Sequence, residues 1–494
     1  MIEHPKDPKK ERRWKCELGP NLFQKGPLAT FGGGPKAVAE FEALRAACQP
    51  LIVGQTIPTM AMRPGPSALI PLLRYFPTLL QLLKQGEGLT GTFAPYMDGP
   101  EFVVKNQWLR DWLDALAFSL SGLPASRTAA AAMAFVLDDM HRDGAALDYP
   151  KGGLGKVVDA LVRGLEQGDR QSKLHLRSHV DRILFSEDGS RATGVQLRNG
   201  RTIHAKDGVI CNAPVWAVKG LIEQENVLSK FEDEDQTSTR RNRVPKQSWA
   251  RSDNGSWTIL PREDSSDDAS SGASFLTKCD TTEMTGSFLH LHIAIDATGL
   301  DLSSMEAHYT VMDRGLNGDV DKLRAASITE ATLQDGPCGE LNMIAVSNPC
   351  VIDPTLAPKG YMVLHAYGAG NEPYDIWSDV QGDDYLALKK KRSEVLWRAL
   401  ESVIPDVRER VVLDLVGSPL THERFLRRPR GTYGAATEDY FSDGSTPIGN
   451  LILAGDSIFP GIGVPAVAIS GASAANAFVY PLRQWQCLDS LTNK

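Results

Sequence analysis

An α/β fold of two lobes is predicted by three features of this sequence. The chain has 494 residues, too many for one core at about 100–200 residues per domain. A helix-rich stretch over 60–148 gives way at Asp148 to strand-like alternation of apolar and polar residues. Near the end, LILAGDSIFPGIGVPAVAISGASAAN over 451–476 reads as a short apolar strand, Gly-Asp, a Gly/Pro loop and a helix of small residues. That is the strand–turn–helix texture of an open α/β sheet, whose ligands bind at the carboxyl ends of strands.

Composition narrows the function class. The chain is 42% hydrophobic and 23% charged with a net charge of −8, which fits a globular protein and leaves no basic field for nucleic acid. Its seven cysteines form no C-x-x-C pair and no Cys/His cluster, so the reading is reduced thiols and no zinc site. The N-terminus, MIEHPKDPKKERRWK, carries Glu3, Asp7 and Glu11 and has no apolar core of a signal peptide. No run reaches the roughly 18 apolar residues of a spanning helix. The nearest, Ser67 to Gln85, is broken by Pro71, Arg74 and Pro77. It fits either a helix lying apolar side down on a membrane or, the preferred reading, a buried helix of a substrate lobe.

Taken in order, residues 36–51 have helical apolar spacing at Val38, Phe41, Leu44 and Ala47. Asn106 to His141 is helical with a break at Gly122-Leu123-Pro124, and Ser126 or Thr128 is placed to cap the second helix. After Tyr149-Pro150-Lys151-Gly152-Gly153 comes a helix, GKVVDALVRGLEQ, then strands over 179–185, 194–197, 202–205 and 208–213. Asn199-Gly200 is a strong hairpin turn among them. The Ser/Asp-rich stretch 251–274 reads as a solvated loop. The basic Arg240-Arg241-Asn242-Arg243 cluster, next to an acidic run, reads as solvated surface. Strands are expected at 286–295, 341–347 and 361–367, a helix at 384–404 and a last strand over Leu451 to Ala454.

The chemistry concentrates in 451–476. Gly461 and Gly463 let the backbone approach a flat ligand closely, and Pro465 sits where a helix would start. The helix aims its free N–H groups and positive dipole end at the loop, which would stabilise an electron-rich ring edge such as that of a reduced flavin. An ordinary strand–turn–helix unit with small residues for packing against a sheet reads equally well from these residues alone. His290-x-His292 lies on a strand, so both imidazoles share one face, a spacing compatible with metal. No third ligand is identifiable, and plain strand histidines are the preferred reading, so no metal is expected. His422-Glu423-Arg424 reads as a solvated polar turn.

Segment 451–476 resembles the C-terminal flavin motif of the carotenoid isomerase and phytoene desaturase family, within the flavin amine-oxidase superfamily. Tyr149-Pro-Lys-Gly-Gly resembles the family's Tyr-Pro-x-Gly-Gly segment, and the meander ending Val209-Ile-Cys-Asn-Ala-Pro resembles its second adenine-side strand set. Thr421-His-Glu-Arg-Phe-Leu-Arg-Arg with Gly431-Thr-Tyr-Gly434 resembles the stretch before its last FAD strand. The resemblance implies a two-lobed, Rossmann-like FAD/NAD(P)-binding flavoprotein with a discontinuous FAD domain and an α+β substrate lobe. It implies Gly455 and Asp456 at the FAD pyrophosphate and ribityl, and Gly463, Val464 and Pro465 beside the isoalloxazine. Val180 would touch the adenine side through its backbone, and Ala213 would sit on a loop over the cofactor. Asp456 also reads as a helix or turn cap.

The family opens with a strand, G-x-G-x-x-G and a helix, and this sequence does not. Gly32-x-Gly34-x-x-Ala37 fits by letter, but Gly26-Pro27 just upstream leaves no room for an apolar strand, so it is read as a decoy. The expectation is a truncated gene model or fragment lacking the phosphate-binding turn. The domain plan is then 1–59 as a remnant of the FAD domain, 60–148 as helical substrate domain and 149–230 as FAD domain. Residues 231–420 complete the substrate domain, and 421–494 complete the FAD domain. The expected function is FAD-dependent hydride transfer on a long apolar polyene, as a carotenoid desaturase or cis–trans isomerase. The expected surroundings are a plastid and peripheral contact with a membrane. The alternative is a non-catalytic relative that binds an apolar ligand or a protein partner.

Overall fold

A computed structural model of the chain describes residues 18–30, 32–84, 91–99, 103–121, 124–146, 148–167, 172–222, 272–313, 343–436, 441 and 443–492, with short pieces at 2–4, 12–13, 15, 249–251 and 257–259. Along the chain these form β1 (Ile2–His4), β2 (Arg12–Arg13), α1 (Pro35–Ile52), α2 (Phe76–Leu83), α3 (Gln107–Ser121), α4 (Ala130–His141) and α5 (Gly155–Gln167). Next come β3 (Val180–Phe185), β4 (Ala192–Leu197), β5 (Thr202–His204), β6 (Val209–Cys211), α6 (Val215–Ile222), β7 (Trp249–Arg251), β8 (Trp257–Ile259) and α7 (Gly272–Thr281). The rest are β9 (Ser287–Asp296), β10 (His308–Asp313), β11 (Met343–Ser347), β12 (Tyr361–Glu372), α8 (Gly382–Val403), β13 (Val411–Gly417), α9 (Pro419–Leu426), β14 (Leu451–Leu453), α10 (Val464–Asn476) and α11 (Pro481–Thr492). The mixture of helices and strands is that of an α/β protein.

The chain divides into two compact units: 1–176 with 283–442 and 455–494, and 177–282 with 443–454. In the smaller unit β3, β4 and β5 form an antiparallel sheet whose β4–β5 turn contains Asn199-Gly200. Beside them β14 pairs in parallel with β6, Leu451 opposite Val209 and Leu453 opposite Cys211. Parallel pairing of strands this far apart in sequence is the α/β signature.

The larger unit has two cores. One is helical: Phe41 and Leu44 of α1, Leu109 and Leu113 of α3 and Met133 and Leu137 of α4 are all buried, with Phe23 closing it. The other lies under a seven-stranded sheet of order β13-β9-β12-β11-β10-β1-β2. Strict alternation on β9 sends Leu289, Leu291, Ile293 and Ile295 into that core, with Leu364 and Ala366 of β12 and Leu396 and Leu400 of α8. The same period leaves His290 and His292 on the opposite face.

His141, at the end of α4, is 2% exposed. It is stacked on Phe23, with ring centroids 5.3 Å apart, and bonded to the Leu137 carbonyl. Burial pushes its pKa below the usual 6.5, so the fold holds it neutral while the unfolded chain takes up a proton below about pH 6.5. The stability this contributes is present above that pH and is lost as pH falls below it. A His141→Phe variant is expected to gain melting temperature relative to the parent as pH drops from 7.5 to 5, read by circular dichroism.

Several expectations are corrected. Neither Ser126 nor Thr128 caps α4: its N-cap is Ala129, and the Thr128 hydroxyl is engaged with Ser121 Oγ at 2.7 Å. The 67–83 stretch is not a buried helix. Its prolines split it into short turns and α2, and Leu69, Leu73 and Phe76 are 66%, 56% and 51% exposed. Only one side, through Leu72, Tyr75, Leu79 and Leu82, packs on Ile57 and Leu488. Within 251–274, β8 and the start of α7 are regular structure; the remainder after Arg251, and Arg240 to Arg243, lie outside the described residues. The Gly32-x-Gly34-x-x-Ala37 stretch, by contrast, is as expected preceded by no strand: Pro27–Thr30 is a helical turn, and Gly34 is the N-cap of α1. Among the described residues no helix is long and apolar enough to cross a membrane.

Candidate functional site

The loop after β14 is built on glycines in conformations that other residues avoid. Gly455, Gly461 and Gly463 have φ of 131°, 104° and 113°. The Gly455 N–H donates to Ser470 Oγ of α10 at 2.9 Å, which ties the start of the loop to the helix that follows it. Asp456 is half-buried and accepts from the Arg428 guanidinium. Arg428 also donates to the Tyr433 carbonyl at 2.8 Å. The 431–434 strap lies against the loop so closely that a Cβ at Gly434 would stand 2.8 Å from Ile462 Cδ1. The two stretches singled out in the sequence, 421–434 and 455–465, are therefore in contact.

Pro465 is the second residue of α10, not the first: the helix starts at Val464 with Gly463 as N-cap. The first intrahelical bond runs from Val467 N–H to the Gly463 carbonyl. The Val464 and Ala466 amides ahead of it have no intrahelical acceptor, and Pro465 has no N–H to leave unsatisfied. Val464 is 61% exposed and Val467 37% exposed, and the space around Gly463 is open. Ala468, Gly471 and Ala475 are also exposed, so the small-residue face does not press against a sheet as expected. The contact face of α10 is instead Ser470, Ala474 and Asn476. The Asn476 amide donates to the Met60 and Met62 carbonyls at 3.0 and 2.8 Å.

Val180 and Ala213 belong to the smaller unit. Val180 opens β3, paired with Leu197 of β4. Ala213 lies half-buried between β6 and α6, next to Asn212, whose amide donates to the Ala454 carbonyl at 2.9 Å. In the larger unit the Tyr149 hydroxyl lies 3.3 Å from His308 Nδ1. The Gly152 N–H donates to Asp353 Oδ2 at 2.8 Å. The helix that follows, α5, buries no residue, leaving Val157, Val158 and Leu161 exposed.

Beside the 431–434 strap the sheet carries a wall of rings. Tyr433 packs edge-on against Phe288 at 4.3 Å, and Phe288 stacks on His422 of α9. His422 stacks on His290. His290 Nδ1 lies 2.6 Å from Nε2 of His365, and His365 is the cross-strand partner of His292, ring centroids 4.0 Å apart. Burial, helped by the neighbouring imidazoles, pushes His290 down to about 2 and His365 to about 3. Both rings are neutral at physiological pH.

Sequence reasoning missed Arg428 and His365. Arg428 is the second of two adjacent arginines, and Arg427 is the left-handed residue (φ 57°) that ends α9. Nothing in the local pattern says which of the two turns inward. His365 comes 75 residues after His290, and only the β9–β12 register brings it to that face. His422, read as part of a solvated turn, is half-buried against the same wall.

Residues 101–286 match the family described as flavin containing amine oxidoreductase. Over 380 residues the chain is 29% identical to prolycopene isomerase 1 of an Oncidium hybrid cultivar, covering 76% of this chain and 53% of the relative. It is 27% identical to the Arabidopsis thaliana prolycopene isomerase, with 76% and 52% covered. Similarity to the neurosporene-forming phytoene desaturase of Rhodobacter capsulatus is 24% over 340 residues, with 66% and 52% covered. Among solved structures, an oxidoreductase from Methanosarcina mazei aligns at 18% identity with a TM-score of 0.47, covering 82% of this chain and 72% of that one. The chain spans about half the length of the curated relatives it matches.

Proposed function

We propose that this chain, which matches the flavin containing amine oxidoreductase family over residues 101–286 and is similar to carotenoid isomerases and desaturases, is an FAD-dependent enzyme acting on a long apolar polyene. The observation that carries the reading is the glycine loop at 455–463, set between the Asp456–Arg428 pair and the exposed N-terminus of α10. Those residues fit a flavin. Gly461 and Gly463 present backbone without a Cβ, the amides of Val464 and Ala466 are free to face an electron-rich ring edge, and Val464 and Val467 offer it an apolar flank. Asp456, an acceptor with lone pairs beyond the one Arg428 uses, suits the hydroxyls of a ribityl chain. When bound, FAD supplies hydride transfer.

A polyene needs no strong protein base, which agrees with a loop whose one carboxylate, Asp456, is already paired with Arg428. The exposed apolar side chains of 69–76 give a surface for contact with the membrane that holds such a substrate, and a plastid is the compartment named for the prolycopene isomerase relatives. The test is to incubate the FAD-loaded chain, with the flavin oxidised or reduced, with a poly-cis carotene in lipid vesicles and separate the products by chromatography. Conversion to trans isomers at unchanged mass under reducing conditions assigns an isomerase. Loss of two hydrogens with an added quinone assigns a desaturase. Unchanged carotene under both conditions contradicts the polyene reading.

A further inference from the structure

We propose that His290, His292 and His365 form a binding site for a divalent late transition-metal ion, with Zn²⁺ as the ion of reference. The three imidazoles stand on one face of two adjacent antiparallel strands, and a ligand nitrogen from each lies within 4.8 Å of the others. The register places them there: His290 and His292 are two apart on β9, and His365 of β12 is directly opposite His292. Zn–N bonds of about 2.0–2.1 Å put two ligand nitrogens about 3.3 Å apart in a tetrahedron. Because the rings stack near-parallel, an ion is held only after they turn about their side-chain bonds, the 2.6 Å His290–His365 pair opening and the longest separation closing.

The surroundings suit a metal. His290 and His365 are half-buried and His292 is exposed, so an ion has a path in from solvent. All-imidazole donors favour zinc, copper or nickel over magnesium or calcium, which take oxygen. Three protein nitrogens leave the fourth position of a tetrahedral ion to water, the composition of a reactive centre rather than a sealed structural one. His422, stacked on His290 with centroids 4.8 Å apart, holds that ring's orientation from outside the ligand set. The proposal does not depend on flavin binding.

The experiment titrates the full chain, stripped with a chelator and desalted, with ZnCl₂ in competition with a chromophoric chelator. The parent is compared with His292→Asn and His365→Asn, each checked by circular dichroism. The expected result is one tight equivalent per chain. Affinity should fall by at least the 10–100-fold, roughly, that outer-shell changes alone produce in both variants. Because His292 is exposed, its variant keeps the test decisive should His365→Asn fail to fold. Absence of a tight equivalent in the parent, or an equivalent that His292→Asn leaves at full affinity, overturns the proposal.

Discussion

Glu372→Ala is expected to lower the unfolding free energy by about 3–5 kcal/mol. Glu372 closes β12, and its side chain is fully buried, as is that of Arg392 on α8, at 0% and 1% exposure. The pair is bidentate, Arg392 Nε to Oε1 at 3.0 Å and Nη2 to Oε2 at 3.1 Å, and Trp377 Nε1 donates to Oε1 at 2.8 Å. Removing the carboxylate strands a guanidinium in the core between sheet and helix, far costlier than losing the pair as a whole. Replacing both partners, Glu372→Met with Arg392→Met, is therefore expected to recover most of the loss. Urea unfolding of the two variants reads the contrast directly. A Glu372→Ala shift below about 1 kcal/mol, the range of an exposed pair, would contradict a desolvated ion pair at this position.

The second large effect belongs to the loop proposed to hold FAD. Asp456→Ala is expected to weaken FAD binding about 10–100-fold, since a hydrogen bond to a charged group is worth about 1.5–3 kcal/mol and about 1.4 kcal/mol is tenfold in affinity. Asp456→Asn keeps an acceptor and should lose less. Arg428→Ala should weaken binding through position alone, because Arg428 fastens Asp456 to the 431–434 strap through the Tyr433 carbonyl. Flavin retained on desalting, measured by its visible absorption, ranks the three variants. Equal retention by the parent and Asp456→Ala would remove Asp456 from the site.

How much of this was legible varies with the range of the interaction. Local patterns gave α1, α3 and α4, the 179–213 strands and the glycine loop, because periodicity and turn residues such as Asn199-Gly200 act within a few positions. β13 went unread: Val411–Gly417 has exposed Val412, Leu413 and Leu415, and as an edge strand of the sheet it lacks the clean alternation that marks a half-buried one. β10 went unread because His308–Asp313 carries polar residues among its apolar ones. The third histidine of the wall depends on cross-strand register and the choice of Arg428 over Arg427 on how α9 ends. Neither is written in spacing. The 67–83 stretch was apolar enough to read as core, yet its prolines turn half of it outward.

The central claim is that this chain is a flavoprotein, and the measurement that meets it most directly is the visible spectrum of the purified full chain. It is recorded after desalting and again after addition of FAD followed by ultrafiltration. The account predicts a protein-bound flavin band approaching one FAD per chain that stays with the retained protein. A chain that stays colourless while all added FAD passes into the filtrate would contradict it.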